Sequence, residues 1–207
     1  MKEVKVFYNE KSGKNDENEV LNTIKKFFGK EENKASHVEY INPDSPEDAV
    51  RLSKKAIQEN KDLVVALGGD GTIKKVCGGV FEGGSKSILV IVPNGTVNNL
   101  SKSLHIPQDI EAALQNLNEG KLQKFDIAKV NDDYMISSLT LGILADIAQN
   151  VSSSEKKKFG PFAYLKDAYK VIRHNKSYRI ELKYNGKTKA LKTKLLLITM
   201  TDTIGGR

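Results

Sequence analysis

Val4, Val6 and Tyr8 alternate with charged or polar neighbours over Lys2–Tyr8, and the turn-forming run Asn9-Glu10-Lys11-Ser12-Gly13 then ends the pattern. That predicts a strand followed by a loop. From Asn18 onward Val20, Leu21, Ile24, Phe27 and Phe28 recur at helical spacing, with Gly29 as the stop. A second strand is expected over His37–Ile41. Ser45-Pro46-Glu47-Asp48 then supplies an N-cap, a proline suited to the first helical position and acids for the first turn, predicting a helix to about Glu59. Asp62–Leu67 is a nearly continuous apolar run, the kind buried on both faces of a parallel sheet, and it empties into Gly68-Gly69-Asp70-Gly71-Thr72 before another helix. The layout repeats: strand Ser87–Val92, turn Pro93-Asn94-Gly95-Thr96, then a helical stretch through Leu104. Pro107 is expected to open a further helix with Ile110, Ala113, Leu114 and Leu117 inward and Gly120 at its end. The order is βαβα throughout, so both glycine turns should lie at the carboxyl edge of one sheet.

After Lys121 the pattern changes. Phe125–Val130, Tyr134–Ile147, Tyr178–Tyr184 and Lys187–Met200 read as strands, the last two joined by Asn185-Gly186, a strong hairpin signal. One helix, Gly160–Arg173, is expected between them, with Phe162, Leu165, Tyr169 and Ile172 on a face. The expected organisation is an α/β domain over 1–124 and a β-rich domain over 125–207.

Composition adds limits. A hydrophobic content of 39% can supply a core, and the longest apolar runs are strand-length, far short of the ~20 residues that cross a bilayer. The N-terminus lacks a secretory pattern, the single Cys77 has no disulfide partner, and three histidines make no zinc set. A cytoplasmic protein is expected. Residues 1–150 carry 19 Lys+Arg against 22 Asp+Glu, whereas 151–207 carry 14 against 4, so the excess positive charge lies in the last quarter. Such a segment suits anionic lipid headgroups, at ~1 kcal/mol per basic residue, with a solvated lysine-rich face as the plain alternative. No helix-turn-helix, zinc or aromatic ribonucleoprotein-type pattern accompanies the charge, and no nucleic-acid partner is expected.

The chemistry concentrates in Gly68-Gly69-Asp70-Gly71-Thr72. Glycines let backbone N–H groups approach a polyphosphate beside a helix N-terminus, and Asp70 offers an oxygen ligand to Mg²⁺. Thr72 is either a phosphate donor or the helix cap. A plain glycine turn is the alternative. There is no G-x-S-x-G elbow, and the G-x-x-x-x-G-K-[ST] loop is absent.

GGDGT after an apolar strand, followed by a strand ending in P-x-G-T-x-N, resembles the catalytic domains of diacylglycerol-kinase-like and sphingosine-kinase-like proteins. Asn9-Glu-Lys-Ser12-Gly13 is similar to that family's opening N-P-x-S-G loop, and Phe125-Asp126-Ile127-Ala128-Lys129-Val130, with Gly142 and Asp146, to the entry into its second domain. The resemblance covers essentially the whole chain. It implies an NAD-kinase-like three-layer α/β domain followed by a sandwich-like β-rich domain, and an activity that moves the γ-phosphoryl group of Mg-ATP to a lipid hydroxyl such as that of diacylglycerol. It also implies work at an anionic membrane surface, peripheral to the inner face, with a homodimer left open. By position, Gly68, Gly69, Asp70, Gly71 and Thr72 would hold the ATP phosphates, with Asp70 as metal ligand and catalytic residue. Gly95 and Thr96 would form a second wall with Thr96 donating to nucleotide, and Asn98 would stabilise that turn or touch the ligand. Asn9, Ser12 and Gly13 would lie against adenosine or phosphate, or form a simple strand-end turn.

This chain also departs from the family pattern. Lys74-Lys75 stands where the family usually has Asn-Glu, and Asn98-Asn99 where it usually has Asn-Asp, so two acids are lost. Lys74 could then contact phosphate directly. Relatives continue past Arg207 with an acidic Mg²⁺ loop, further strands and a catalytic acid, so the chain is expected to be a fragment without that base, incomplete in its second domain. Two alternatives follow: a degenerate or truncated member that binds nucleotide or membrane without turnover, and an NAD kinase, which shares GGDGT but ordinarily has Asn-Glu at Asn98-Asn99.

Overall fold

Four strands, β1 (Lys2–Phe7), β2 (Ala35–Ile41), β3 (Leu63–Gly68) and β4 (Ile88–Pro93), form a parallel sheet in the order β2-β1-β3-β4. The structure is a computed structural model and describes residues 2–9, 17–142 and 177–201. β3 is central and every one of its residues is buried, which is why its sequence runs apolar without alternation. Leu63, Val65 and Leu67 pack on one face with Val20, Ile24, Phe27 and Phe28 of α1 (Glu17–Gly29) and Ile110 and Leu114 of α5 (Ile110–Glu119). Val64 and Ala66 pack on the other with Ala56 and Ile57 of α2 (Pro46–Gln58) and Ile73, Val76 and Cys77 of α3 (Asp70–Glu82). The result is a three-layer α/β unit. Leu100 of the short α4 (Asn99–Ser103) joins the second cluster.

Local chemistry sets the helix ends. Ser45 caps α2 by accepting from the Asp48 N–H, as its sequence predicted. α5 starts later than Pro107: Asp109 caps it, accepting from the Ala112 N–H at 2.9 Å, and the first helical residue is Ile110. A carboxylate that can satisfy an orphan N–H is the stronger start signal here.

The strand expected over Tyr134–Ile147 is broken after Met135, and its residues 143–147, Asp146 among them, lie outside the described residues. β5 (Ala128–Val130) and β6 (Asp133–Met135) form a short antiparallel hairpin, Ile136 turns into the second core cluster, and β7 (Ser138–Gly142) pairs with β10 (Leu195–Thr199). The run Lys187–Met200 likewise divides at Lys194. Its first part, β9 (Lys187–Thr193), pairs with β8 (Tyr178–Tyr184) through Asn185 and Gly186, whose φ values of 47° and 71° give the left-handed turn that Asn-Gly favours.

The chain divides into two units after Ser137: the second runs Ser138–Thr199, and Met200 returns to the first, its N–H donating to the Ser137 carbonyl at 2.7 Å. The β5–β6 hairpin therefore belongs with the α/β unit, beyond the composition change near Lys124, because Tyr134 and Asp133 are tied to α3. The second unit, among the described residues, is all strand. The helix expected over Gly160–Arg173 lies outside the described residues. Among the described residues no helix is long and apolar enough to cross a membrane.

α2 and α3 approach closely through glycine. A Cβ added at Gly79 would fall 1.9 Å from Ser53 Oγ and 2.3 Å from the Val50 carbonyl oxygen, and one at Gly83 would meet Ile57. Backbone cannot yield there as a side chain can. Gly79→Ala is expected to lower stability by about 2 kcal/mol, within the range for overpacked cores, read as a lower urea midpoint; an unchanged midpoint would show that the helices separate freely.

Candidate functional site

The site grows from the carboxyl ends of β3 and β4. β3 ends at Gly68, whose φ of +153° and close approach to Thr72 (an added Cβ would lie 2.9 Å from Thr72 Cβ) leave no room for a side chain. The chain then turns at Gly69, the N-cap of α3, and Asp70 is the first helical residue. Thr72 is therefore not the cap; it sits within the first turn. No side chain caps α3, in contrast to Ser45 on α2 and Asp109 on α5. A helix of 13 residues thus presents its positive end, uncapped by any side chain, at the sheet edge.

The second turn lies directly beside the first. Gly68 pairs with Pro93 in the parallel ladder, and the Asn94 N–H donates to the Gly68 carbonyl at 2.9 Å. One residue on, backbone meets backbone: a Cβ at Gly95 would stand 2.6 Å from Gly69 Cα, and one at Gly69 3.4 Å from Gly95 Cα. The two glycine turns predicted at one sheet edge are therefore in contact.

Asn98 holds the second turn. It is 5% exposed, adopts the left-handed conformation (φ 54°), and precedes α4. Its Oδ1 accepts from the Gly95 N–H at 3.0 Å, and its Nδ2 donates to the Gly95 carbonyl and to Gln108 Oε1, both at 3.0 Å. Of its two expected roles the structure places it in the first, stabilising the turn. The Gly95 N–H is thereby used internally, so Gly95 supplies space while Thr96, exposed at the tip, faces solvent.

Asp70 Oδ1 is buried with no hydrogen-bond partner among the described residues. A buried carboxylate oxygen left unpaired is costly, and a cation or donor brought by a ligand would satisfy it. No group of three or more metal-ligating side chains gathers among the described residues, so a Mg²⁺ ion here would take most of its oxygen ligands from phosphate and water. Asn9 follows β1, the neighbour of β3, and Phe7 pairs with Ala66, which puts Asn9 at the same sheet edge, exposed. Ser12 and Gly13 lie outside the described residues.

The lysines after GGDGT-I turn to protein rather than solvent. Lys74 and Lys75 both bind Asp133 of β6, Lys75 at 3.0 Å. The Lys74 hydrogen bond foremost, with Lys75 and the Tyr134 N–H, holds the Asp133 carboxyl far below the usual carboxylate range. Beside this clasp Tyr134 covers Gly78, where an added Cβ would lie 2.3 Å from Tyr134 Cδ2, and donates its hydroxyl to Glu82. Burial, with Glu82 adding to it, pushes the phenol up to about 12. Neither Asp133 nor Gln108 stands out in the sequence, because their partners become neighbours only on folding.

Comparison with known proteins gives the family and the fold. The family model described as the diacylglycerol kinase catalytic domain matches residues 3–130. Proteins named diacylglycerol kinase from Staphylococcus aureus strains JH9 and Newman are each 33% identical over 159 residues, 77% of this chain and 50% of theirs. The chain thus spans half the length of these curated relatives. A crystal structure of a diacylglycerol kinase from Bacillus anthracis str. Sterne superposes with a TM-score of 0.72 at 21% identity, covering 99% of this chain and 66% of that one.

Asp133 is more acidic folded than unfolded, so its pairing stabilises fully above an ordinary aspartate's titration, near pH 4, and that stability is lost as the pH falls through and below that value. Asp133→Asn should therefore be less stable at pH 7 yet lose less on acidification. Urea midpoints measured from pH 7 to pH 2.5 check this; parallel acid limbs for the two proteins would contradict it.

Proposed function

This chain belongs to the diacylglycerol kinase catalytic domain family, and on that premise we propose that it provides the nucleotide-binding part of an ATP-dependent kinase that phosphorylates a lipid hydroxyl of the diacylglycerol class. The observation that carries the reading is the contact of Gly69 with Gly95 beside the uncapped start of α3. Together they bring two stretches of backbone to the start of a helix, the arrangement that suits a polyphosphate. Gly68, Gly69, Gly71 and Thr72 line the first wall, Gly95 and Thr96 the second, and Asn98 fixes the second in place. Asn9 stands at the same sheet edge on the β1 side, and in this reading it and the following Ser12 and Gly13 would contact adenosine or phosphate.

Phosphoryl transfer depends on positioning and charge stabilisation more than on covalent chemistry by the protein. In this reading Asp70 would hold Mg²⁺ through its otherwise unpaired oxygen, and bound metal would supply positive charge beside the phosphates. The remaining residues bind and orient. Lys74 and Lys75 act at one remove, since their charges are directed to Asp133.

The lipid side of the proposal rests on charge in the second unit. On the β8–β9 hairpin Arg179 lies directly opposite Lys192, Lys183 on the same face is paired with Glu181 at 2.8 Å, and Lys187 and Lys189 share the other face with Ile180 and Leu191. Like charges facing across a ladder repel unless an anion stands between them, as an anionic membrane surface provides. The protein would then work peripherally at the inner membrane face.

A second reading, binding without turnover, is favoured by Lys75 and Asn99 standing where the family usually has acids. A radiolabelled-ATP assay of the complete protein against diacylglycerol, a sphingoid base, a polyprenol and NAD separates these. Label in a lipid supports the kinase, label in NAD supports an NAD kinase, and no label with retained Mg-ATP binding supports the second reading.

Asp70→Ala should abolish Mg²⁺-dependent ATP binding and leave the thermal midpoint close to wild type. Calorimetric titration showing undiminished Mg-ATP affinity would remove Asp70 from the site. Vesicles rich in anionic lipid should bind the protein in a manner that weakens with added salt, and Arg179→Glu with Lys192→Glu should reduce that binding; equal binding to neutral vesicles would reject the membrane assignment.

A further inference from the structure

We infer that Gln108 is a positioning residue for the second glycine turn, acting through Asn98 to keep Gly95 and Thr96 seated against Gly69. The functional consequence rests on the nucleotide-binding reading above; the structural one does not.

Asn98 is a buried amide with one acceptor oxygen and two donor hydrogens to satisfy. The Gly95 peptide takes the oxygen and one hydrogen, and the second hydrogen goes to Gln108 Oε1 at 3.0 Å. Gln108 thus completes the set. Without it a buried N–H loses its partner, which favours rotation of the amide toward other acceptors and away from the Gly95 peptide.

Gln108 is itself oriented. Its Nε2 donates to the Ile106 carbonyl at 2.9 Å and reaches Ser101 Oγ at 3.4 Å, which leaves Oε1 facing Asn98. The side chain is nonetheless exposed, and exposed glutamines gain little by ordering in water. The neighbouring helices do not need it: α5 is capped by Asp109, and the Ser101 hydroxyl already donates to the Asn98 carbonyl. What these contacts fix is the Asn98 amide, and through it the Gly95 peptide. Because Gly95 lies against Gly69, a loosened second turn also loosens its contact with the residue that precedes Asp70.

Amide hydrogen exchange on the ligand-free protein tests this directly. In Gln108→Ala the Gly95 amide should exchange about tenfold faster, while the Ala112 amide, held by the Asp109 cap, keeps its wild-type rate. Gln108→Glu retains an acceptor toward Asn98 Nδ2 but loses the donor to the Ile106 carbonyl, so its Gly95 rate should fall between those of wild type and Gln108→Ala. An unchanged Gly95 rate in Gln108→Ala overturns the inference, as does equal acceleration at Ala112, which would indicate general loosening. Calorimetry then asks the functional question: Mg-ATP affinity in Gln108→Ala should fall about tenfold at an unchanged thermal midpoint. Wild-type protein that fails to bind Mg-ATP would sink the nucleotide reading, while the Gly95 exchange rates would still decide the role of Gln108.

Discussion

The site depends on one contact, the approach of the Gly69 and Gly95 backbones at the ends of two paired strands. Parallel pairing of β3 with β4 carries the ladder as far as Gly68 and Pro93, and the Asn94 N–H extends it by one hydrogen bond. From there both chains leave the sheet in the same narrow space, and a side chain at Gly95 would run into the Gly69 backbone and the Asn98 amide. The requirement for glycine at 95 is thus steric before it is chemical, whereas a Cβ at Gly69 would reach only ordinary contact, 3.4 Å from Gly95 Cα. The two turns meet because Gly95 has no side chain to hold them apart.

Much of this was legible in sequence because the signals were local. The unalternating apolar run before Gly68 announced a central parallel strand, Ser45-Pro46 announced the start of α2, and Asn185-Gly186 announced the β8–β9 turn. Errors arose where two local signals competed or where packing intervened. Pro107 suggested a helix start, but Asp109 had the oxygen to cap one. Tyr134–Ile147 read as one strand, yet Ile136 is drawn into the core against α3 and interrupts it. The side chains that orient the site are harder still. Asp133 reaches Lys74 across 59 residues of sequence, and Gln108 reaches Asn98 from the connection between two helices. No periodicity marks either pair.

The two lysines after the glycine loop illustrate how a change of charge is absorbed. Lysines directly after a phosphate-binding loop would ordinarily be assigned to the phosphates. Here Asp133 draws both, and Tyr134, bonded to Glu82, lays the same hairpin over Gly78. The hairpin is consequently part of the α/β unit in a mechanical sense: it is clamped along α3, the helix whose first residue is Asp70.

The steric bargain between residues 69 and 95 also constrains how such sequences diverge. A side chain at 95 demands retreat of the Gly69 backbone, which the strand ladder pins through Gly68 and Pro93, and it displaces the Asn98 amide that holds the Gly95 N–H. The two motifs, separated along the chain by a helix and a strand, therefore cannot drift independently. Among homologues they should change together or not at all, and Asn98 with them.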